Sequence, residues 1–92
     1  MIKDFKDKEA GRLFQRMRND LPAEIQRRAL KKLMQLHAVT RLEDLRVPPG
    51  NHLEPLSGDR ARQWSIRVND QYRICFTWTN QGPDQVEITD YH

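Results

Sequence analysis

The side chains best suited to acid–base and anion chemistry gather toward the end of this chain: Glu54, Arg60, Arg62, Arg67, Arg73 and the closing Asp90-Tyr91-His92. The last three bring a carboxylate, a phenol and an imidazole into consecutive positions, and an imidazole can give or take a proton near neutral pH. Taken alone, a histidine at a chain end is usually just an exposed tail. Strand alternation would also put Tyr91 on one face and Asp90 and His92 on the other, so the three converge only where a strand ends or twists. Glu54 precedes Pro55 and Leu56, at a strand edge. Two roles fit it there, a general base or an ion-pair partner of Arg73 or Arg60.

The arginines are placed by a hairpin. A two-residue loop at Asn69-Asp70 would set Ile66 against Arg73 and mix core with charge. A three-residue loop, Asn69-Asp70-Gln71, instead pairs Val68 with Tyr72, Ile66 with Ile74, Trp64 with Phe76 and Ser65 with Cys75, and it sets Arg67 opposite Arg73. A one-residue slip moves every side chain to the other face, and three-residue hairpin loops are common, so this register is the expected one. Like charges directly opposite across a sheet are destabilising, by a few tenths to about 1 kcal/mol. Either a phosphate group lies over the pair, where charge-assisted contacts are strong, or Asp59, Glu87 or Asp90 neutralises it.

The elements that carry these residues follow from periodicity. Residues 2–5 form a short first strand. Asp7 is an N-cap, and Ala10, Leu13, Phe14 and Met17 repeat with helical spacing. Asp20 and Pro22 open a second helix over residues 23–37, with Ile25, Ala29, Leu30, Leu33, Met34 and Leu36 on one face. Its other face carries Arg27, Arg28, Lys31, Lys32 and Gln35, either a solvated surface or a dock for an acidic protein or rRNA. Residues 47–51, Val-Pro-Pro-Gly-Asn, make a loop. Beyond it the period falls to two, giving three or four strands. The expected fold class is α+β, two N-terminal helices packed on one face of a small, mainly antiparallel sheet. Tyr72, Phe76 and Trp78 are read as core rather than as a stacking platform for bases.

Composition sets the outer limits. The chain has 92 residues, of which 37% are hydrophobic, and a mean hydropathy of −0.89. One domain spanning residues 1–92 is expected. Sixteen Lys and Arg against thirteen Asp and Glu give a net charge of +3, so the distribution of charge matters more than its sum. Cys75 stands alone, which excludes an internal disulfide and suits a reducing compartment. No run is apolar enough to cross a bilayer. A soluble cytoplasmic protein without a membrane partner is expected. His37, His52, His92 and Cys75 lack ligand-like spacing, so neither a metal site nor a cofactor is expected.

The segments Leu56-Ser57-Gly58-Asp59-Arg60, Trp64-Ser65-Ile66-Arg67-Val68, Tyr72-Arg73-Ile74 and Asp90-Tyr91-His92 together resemble HigB toxins of the RelE superfamily. The opening Met1-Ile2-Lys3-Asp4-Phe5 and the Pro48-Pro49-Gly50-Asn51 loop fit the same group. This resemblance implies a RelE-like fold and the toxin of a type II toxin–antitoxin pair, a ribosome-dependent, metal-independent mRNA endoribonuclease that cuts in the A site and inhibits translation. The implied partners are the ribosome with its rRNA, mRNA, a HigA-like helix-turn-helix antitoxin, and operator DNA only through the antitoxin complex.

Carried onto this chain, the resemblance puts Arg73, Asp90, Tyr91 and His92 in or near an active site. Arg73 would stabilise phosphate, His92 or Glu54 would act as acid or base, Tyr91 would orient a nucleobase and Asp90 would position Tyr91 or His92. Arg60, Arg62 and Arg67 would hold the RNA backbone. Two positions depart from well-studied members: Glu54 stands in place of histidine and Ser57 in place of lysine. A carboxylate is a weaker base than an imidazole, and the missing lysine removes a cation from the site. A moderate nuclease is therefore expected. Those departures also admit a non-catalytic module that binds RNA or the ribosome and stalls translation. A corepressor acting with the antitoxin on its operon is a third reading.

Overall fold

The structure is a computed structural model and describes residues 1–90. Two α-helices, α1 (Lys8–Phe14) and α2 (Ala23–Ala38), precede four strands, β1 (Glu54–Pro55), β2 (Gln63–Arg67), β3 (Tyr72–Thr79) and β4 (Gly82–Asp90). The strands form one antiparallel meander in the order β1-β2-β3-β4. Both helices pack on the same face of the sheet. Ala10 and Leu13 from α1, with Ile25, Ala29, Leu33 and Leu36 from α2, close over Ile66, Ile74, Phe76, Val86 and Ile88. This is the expected α+β arrangement.

Local chemistry explains the helix ends. The Asp7 carboxylate accepts a hydrogen bond from the Glu9 N–H at 3.0 Å, so α1 begins where the sequence places its cap. The left-handed backbone of Arg16, at φ +59°, stops α1 short of Met17. Met17 therefore leaves the predicted apolar stripe and is exposed. The expected cap at Asp20 also fails. Pro22 itself is the N-cap of α2 and offers no side-chain acceptor, while the Asp20 N–H donates to the Glu9 carboxylate. On α2 the buried stripe is Ile25, Ala29, Leu33 and Leu36. Leu30 is half-buried and Met34 is exposed, so the core face is narrower than the spacing suggests.

Residues 2–5 do not form a full strand. They run beside β4 through a single parallel bridge, Phe5 to Val86. The register of β4 against β3 shifts between Cys75 and Thr77, where Gln85 takes φ +50°. Such a bulge redirects the backbone, and the Val86 N–H donates to the Asp4 carbonyl at 3.1 Å. At the preceding turn, Gly82 sits at φ +115°, and a Cβ there would come within 2.5 Å of the Met1 carbonyl oxygen. Only glycine lets the N-terminal segment pass so close.

The hairpin has the register that alternation demands. Trp64 pairs with Phe76, Ser65 with Cys75, Ile66 with Ile74 and Arg67 with Arg73, and the Val68 N–H closes the three-residue loop on the Tyr72 carbonyl at 3.0 Å. Phe76 is fully buried, and Tyr72, Trp64 and Trp78 pack partly buried against the core. Cys75 is fully buried on the arginine-bearing face, and burial pushes its thiol pKa up, which keeps it in the unreactive neutral form.

Candidate active site

The loop before β1 is fixed by one buried amide. Asn51 is fully buried. Its Nδ2 donates to the Leu45 carbonyl at 3.0 Å and to Gln35 Oε1 at 3.1 Å, and its Oδ1 accepts from Lys32 Nζ. A short 3₁₀ turn, Pro49–Asn51, follows a cis Val47–Pro48 bond and ends at His52, whose φ of +46° is left-handed. The next residues enter β1, which pairs Glu54 with Ser65 on β2. Asn51 thereby ties helix α2 to the segment that carries His52 and Glu54. Substituting Asn51 by alanine is expected to destabilise the fold by about 1–3 kcal/mol, because buried carbonyls lose their donor. A thermal melt would show this as a Tm lower by roughly 4–8 °C per kcal/mol.

Opposite this segment, Arg73 on β3 is held on two sides. Its Nε donates to Ser65 Oγ at 2.8 Å and its Nη2 to the His52 carbonyl at 2.6 Å. The side chain is 13% exposed and lies 3.6 Å from Glu54 Oε1, which is half exposed. Of the two readings open for Glu54, the geometry contains the ion pair with Arg73 and leaves the carboxylate facing solvent. Arg67, across the strand pair, is matched by Asp70 in the hairpin loop. The adjacent arginines are thus each given a nearby acid, and those acids are Glu54 and Asp70. Glu87, one of the acids expected to neutralise the pair, instead binds Arg60 at 2.6 Å.

These residues line one cleft of about 350 Å³, walled by His52, Glu54, Arg67, Asn69, Asp70, Gln71 and Arg73. Asp90, at the end of β4, pairs with Tyr72 and accepts a hydrogen bond at 2.9 Å from Gln71 Nε2, which belongs to the cleft wall. The fold therefore brings Arg73, Glu54 and Arg67 to one opening, with Asp90 joined to its wall through Gln71. Tyr91 and His92, the other predicted site residues, lie outside the described residues. Arg60 and Arg62 lie before the start of β2, whose length to Arg67 is about 13 Å at a rise of about 3.3 Å per residue. Arg60 is bound to Glu87 and Gln63, and Arg62 is exposed beside it with φ +80°. Neither lines the cleft.

His52, Asn69 and Gln71 belong to the cleft wall and were not singled out by sequence. No local pattern signals His52, because it ends a 3₁₀ turn with left-handed backbone and meets Arg73 through its carbonyl. His37, by contrast, is spent structurally: its Nδ1 accepts from the Ile2 N–H at 3.1 Å and its ring packs 5.0 Å from Phe14. Among the described residues, no group of three His, Cys, Asp or Glu side chains is placed to hold a metal ion.

The described residues form an antiparallel meander backed by two helices, with the Arg73 guanidinium in a cleft on its open face. The sequence model described as RelE-like toxin of type II toxin-antitoxin system HigB matches residues 3–92, and the chain belongs to this HigB-like family. Toxin HigB-1 of Vibrio cholerae is 38% identical over 82 residues, covering 87% of this chain and 86% of that protein. Endoribonuclease HigB of Proteus vulgaris is 33% identical over 93 residues and covers both chains in full. Among solved structures, YafQ from Escherichia coli superposes with a TM-score of 0.63 at 16% identity, covering 98% of this chain and 91% of its own. The YoeB/ParE toxin from Agrobacterium tumefaciens gives 0.58 at 16% identity, covering 99% and 98%. The last two speak for the fold alone. Family membership implies an antitoxin as partner.

Proposed function

We propose that this chain is the toxin of its pair by virtue of endoribonuclease activity: it cuts mRNA in the ribosomal A site without a metal, and a HigA-like helix-turn-helix antitoxin holds it inactive in the cytoplasm. The observation that carries this reading is the guanidinium of Arg73, clamped by Ser65 and His52 beside Glu54 in a cleft whose wall residue Gln71 donates to Asp90. A relative named as an endoribonuclease, aligned over the whole chain, supports it. No helix among the described residues is long and apolar enough to cross a membrane.

The chemistry needs three acts. A base takes the proton of the ribose 2′-OH, and the freed oxygen forms a bond to phosphorus. The bond from phosphorus to the 5′ oxygen breaks, and an acid returns a proton to that oxygen. The products are a 2′,3′-cyclic phosphate and a 5′-hydroxyl. Arg73 is assigned to the phosphate, Glu54 to the 2′-OH proton, and His92 to the leaving oxygen or, if Glu54 is only a counter-ion, to the base role. Tyr91 orients the base of the RNA and Asp90 positions the residues that follow it. Arg67 holds the backbone at the cleft wall. Arg60 and Arg62 lie off the cleft and are assigned to more distant backbone or rRNA contacts.

Mapping mRNA 5′ ends after brief induction tests this, with a chain lacking Tyr91-His92 in parallel. In-frame cuts within translated codons are expected, reduced about 10²–10⁴-fold in the shortened chain, the range of a lost acid or base. Growth arrest without new 5′ ends would instead mean an inhibitor that binds and does not cut. The Glu54–Arg73 ion pair favours that second reading, since it part-neutralises the cation a phosphate would meet. Repression of the operon belongs to the complex with the antitoxin, and operator binding by the chain alone would overturn that assignment.

A further inference from the structure

A second groove adjoins the cleft. It has a volume of about 440 Å³, lies between α2 and the β2–β3 hairpin, and is lined by Arg28, Lys31, Lys32, Gly50, Arg67 and Val68. Arg67 also walls the cleft that contains Arg73, so the two depressions share one lining residue. We propose that this groove is a binding track for the sugar–phosphate backbone of single-stranded RNA, continuing the strand whose scissile phosphate lies at Arg73. The inference rests on the reading of the cleft as an RNA site.

Charge placement carries the argument. Arg28, Lys31 and Lys32 stand at i, i+3 and i+4, so they share one face of α2. Among the described residues no acidic side chain lines the groove, and none of these three cations is in an ion pair, although Arg12, Arg41, Arg60, Arg67 and Arg73 all are. Lys32 is partly sunk, and burial, followed by the charges of Lys31 and Arg28, holds its ammonium below the ordinary lysine range. Crowded like charges of this kind disfavour one another, and a bound polyanion relieves the repulsion. Gly50 borders open space: a Cβ there would meet nothing within 4 Å. Arg67 can turn toward a phosphate at little loss, because its partner Asp70 is 94% exposed and such surface pairs contribute little. A solvated helix face would share the helical spacing but not the junction with the cleft.

The test uses the full chain free of antitoxin and the variant Arg28→Gln/Lys31→Gln, both exposed positions. Lys32 and Arg67 are left intact, because Lys32 anchors Asn51 and Arg67 belongs to the cleft. Fluorescence anisotropy would measure binding of a dodecamer and a trinucleotide of uniformly 2′-O-methylated RNA, which lacks the attacking hydroxyl. The variant should bind the dodecamer at least roughly tenfold more weakly, the scale of one lost hydrogen bond to a charged group. The slope of log affinity against log salt should become shallower by about 1.4, roughly 0.7 for each phosphate that a removed cation had neutralised. Trinucleotide binding should not change. Equal binding of the dodecamer by both proteins overturns the proposal, even if the wild type cuts RNA. A variant that keeps its RNA affinity but loses the antitoxin also overturns it and makes the groove a protein dock. Length-dependent binding by a wild type that cuts no mRNA would sustain the track and defeat the nuclease assignment instead.

Discussion

Replacing Arg73 by alanine is expected to lower RNA cleavage by about 10²–10³-fold, the effect of removing one preorganised electrostatic donor from a transition-state site. The size of the effect follows from how the side chain is held. Ser65 Oγ fixes Nε and the His52 carbonyl fixes Nη2, so the guanidinium is oriented before any substrate arrives. Preorganised charge needs no rearrangement as negative charge builds on the phosphate oxygens, and partial burial keeps water from screening it. Lysine at this position keeps the charge but loses the planar fork that engages two acceptors at once. Arg73→Lys should therefore recover only part of the activity. Single-turnover cleavage on ribosomes carrying a defined mRNA would measure both variants. A thermal melt is the necessary control, because the fully buried Ser65 hydroxyl also loses its partner in the alanine variant. A folded Arg73→Ala protein that cuts at the wild-type rate would remove Arg73 from the chemistry.

What could be read from the sequence, and what could not, divides along the range of the interactions. The β2–β3 register was legible because only a three-residue loop keeps Ile66, Ile74 and Phe76 together on the helix side, and burial enforces that choice. The Asp7 cap was legible because its hydrogen bond spans two residues. Asp20 misled, since a cap needs its side chain at the first turn and Pro22 occupies that place. Arg60 was grouped with Arg67 by composition and by the family likeness. Its pairing with Glu87 spans 27 residues and depends on β4 lying beside β3 with a bulge, which no local pattern announces. Asn51 shows the same limit. As part of a Pro-Pro-Gly-Asn loop it reads as turn material, yet it is buried and joins α2 to the strand that bears Glu54. His52 was set aside for want of metal-ligand spacing, whereas its part in the cleft comes from a backbone carbonyl and a left-handed turn.

Glu54, one of the two positions that depart from the well-studied members of the family, gives the sharper experiment. Glu54→Gln keeps the shape of the side chain while removing both its basicity and its charge. If the carboxylate takes the 2′-OH proton, cleavage should fall by about 10²–10⁴-fold. Loss of the charge acts in the other direction on binding. Glu54 Oε1 lies 3.6 Å from Arg73 Nη2, a loose pair with a half-exposed acid, and removing it leaves more of the cation for phosphate. Uncleavable RNA should then bind more tightly to Glu54→Gln than to the wild type, so the rate and the affinity move apart. Glu54→His completes the comparison. Histidine supplies a stronger base without a fixed negative charge beside Arg73, and it should restore cleavage to the wild-type level or above. If Glu54→Gln cuts as fast as the wild type while binding RNA more tightly, Glu54 is only the counter-ion of Arg73. The base would then have to come from the C-terminal side of the cleft, where Asp90 meets Gln71.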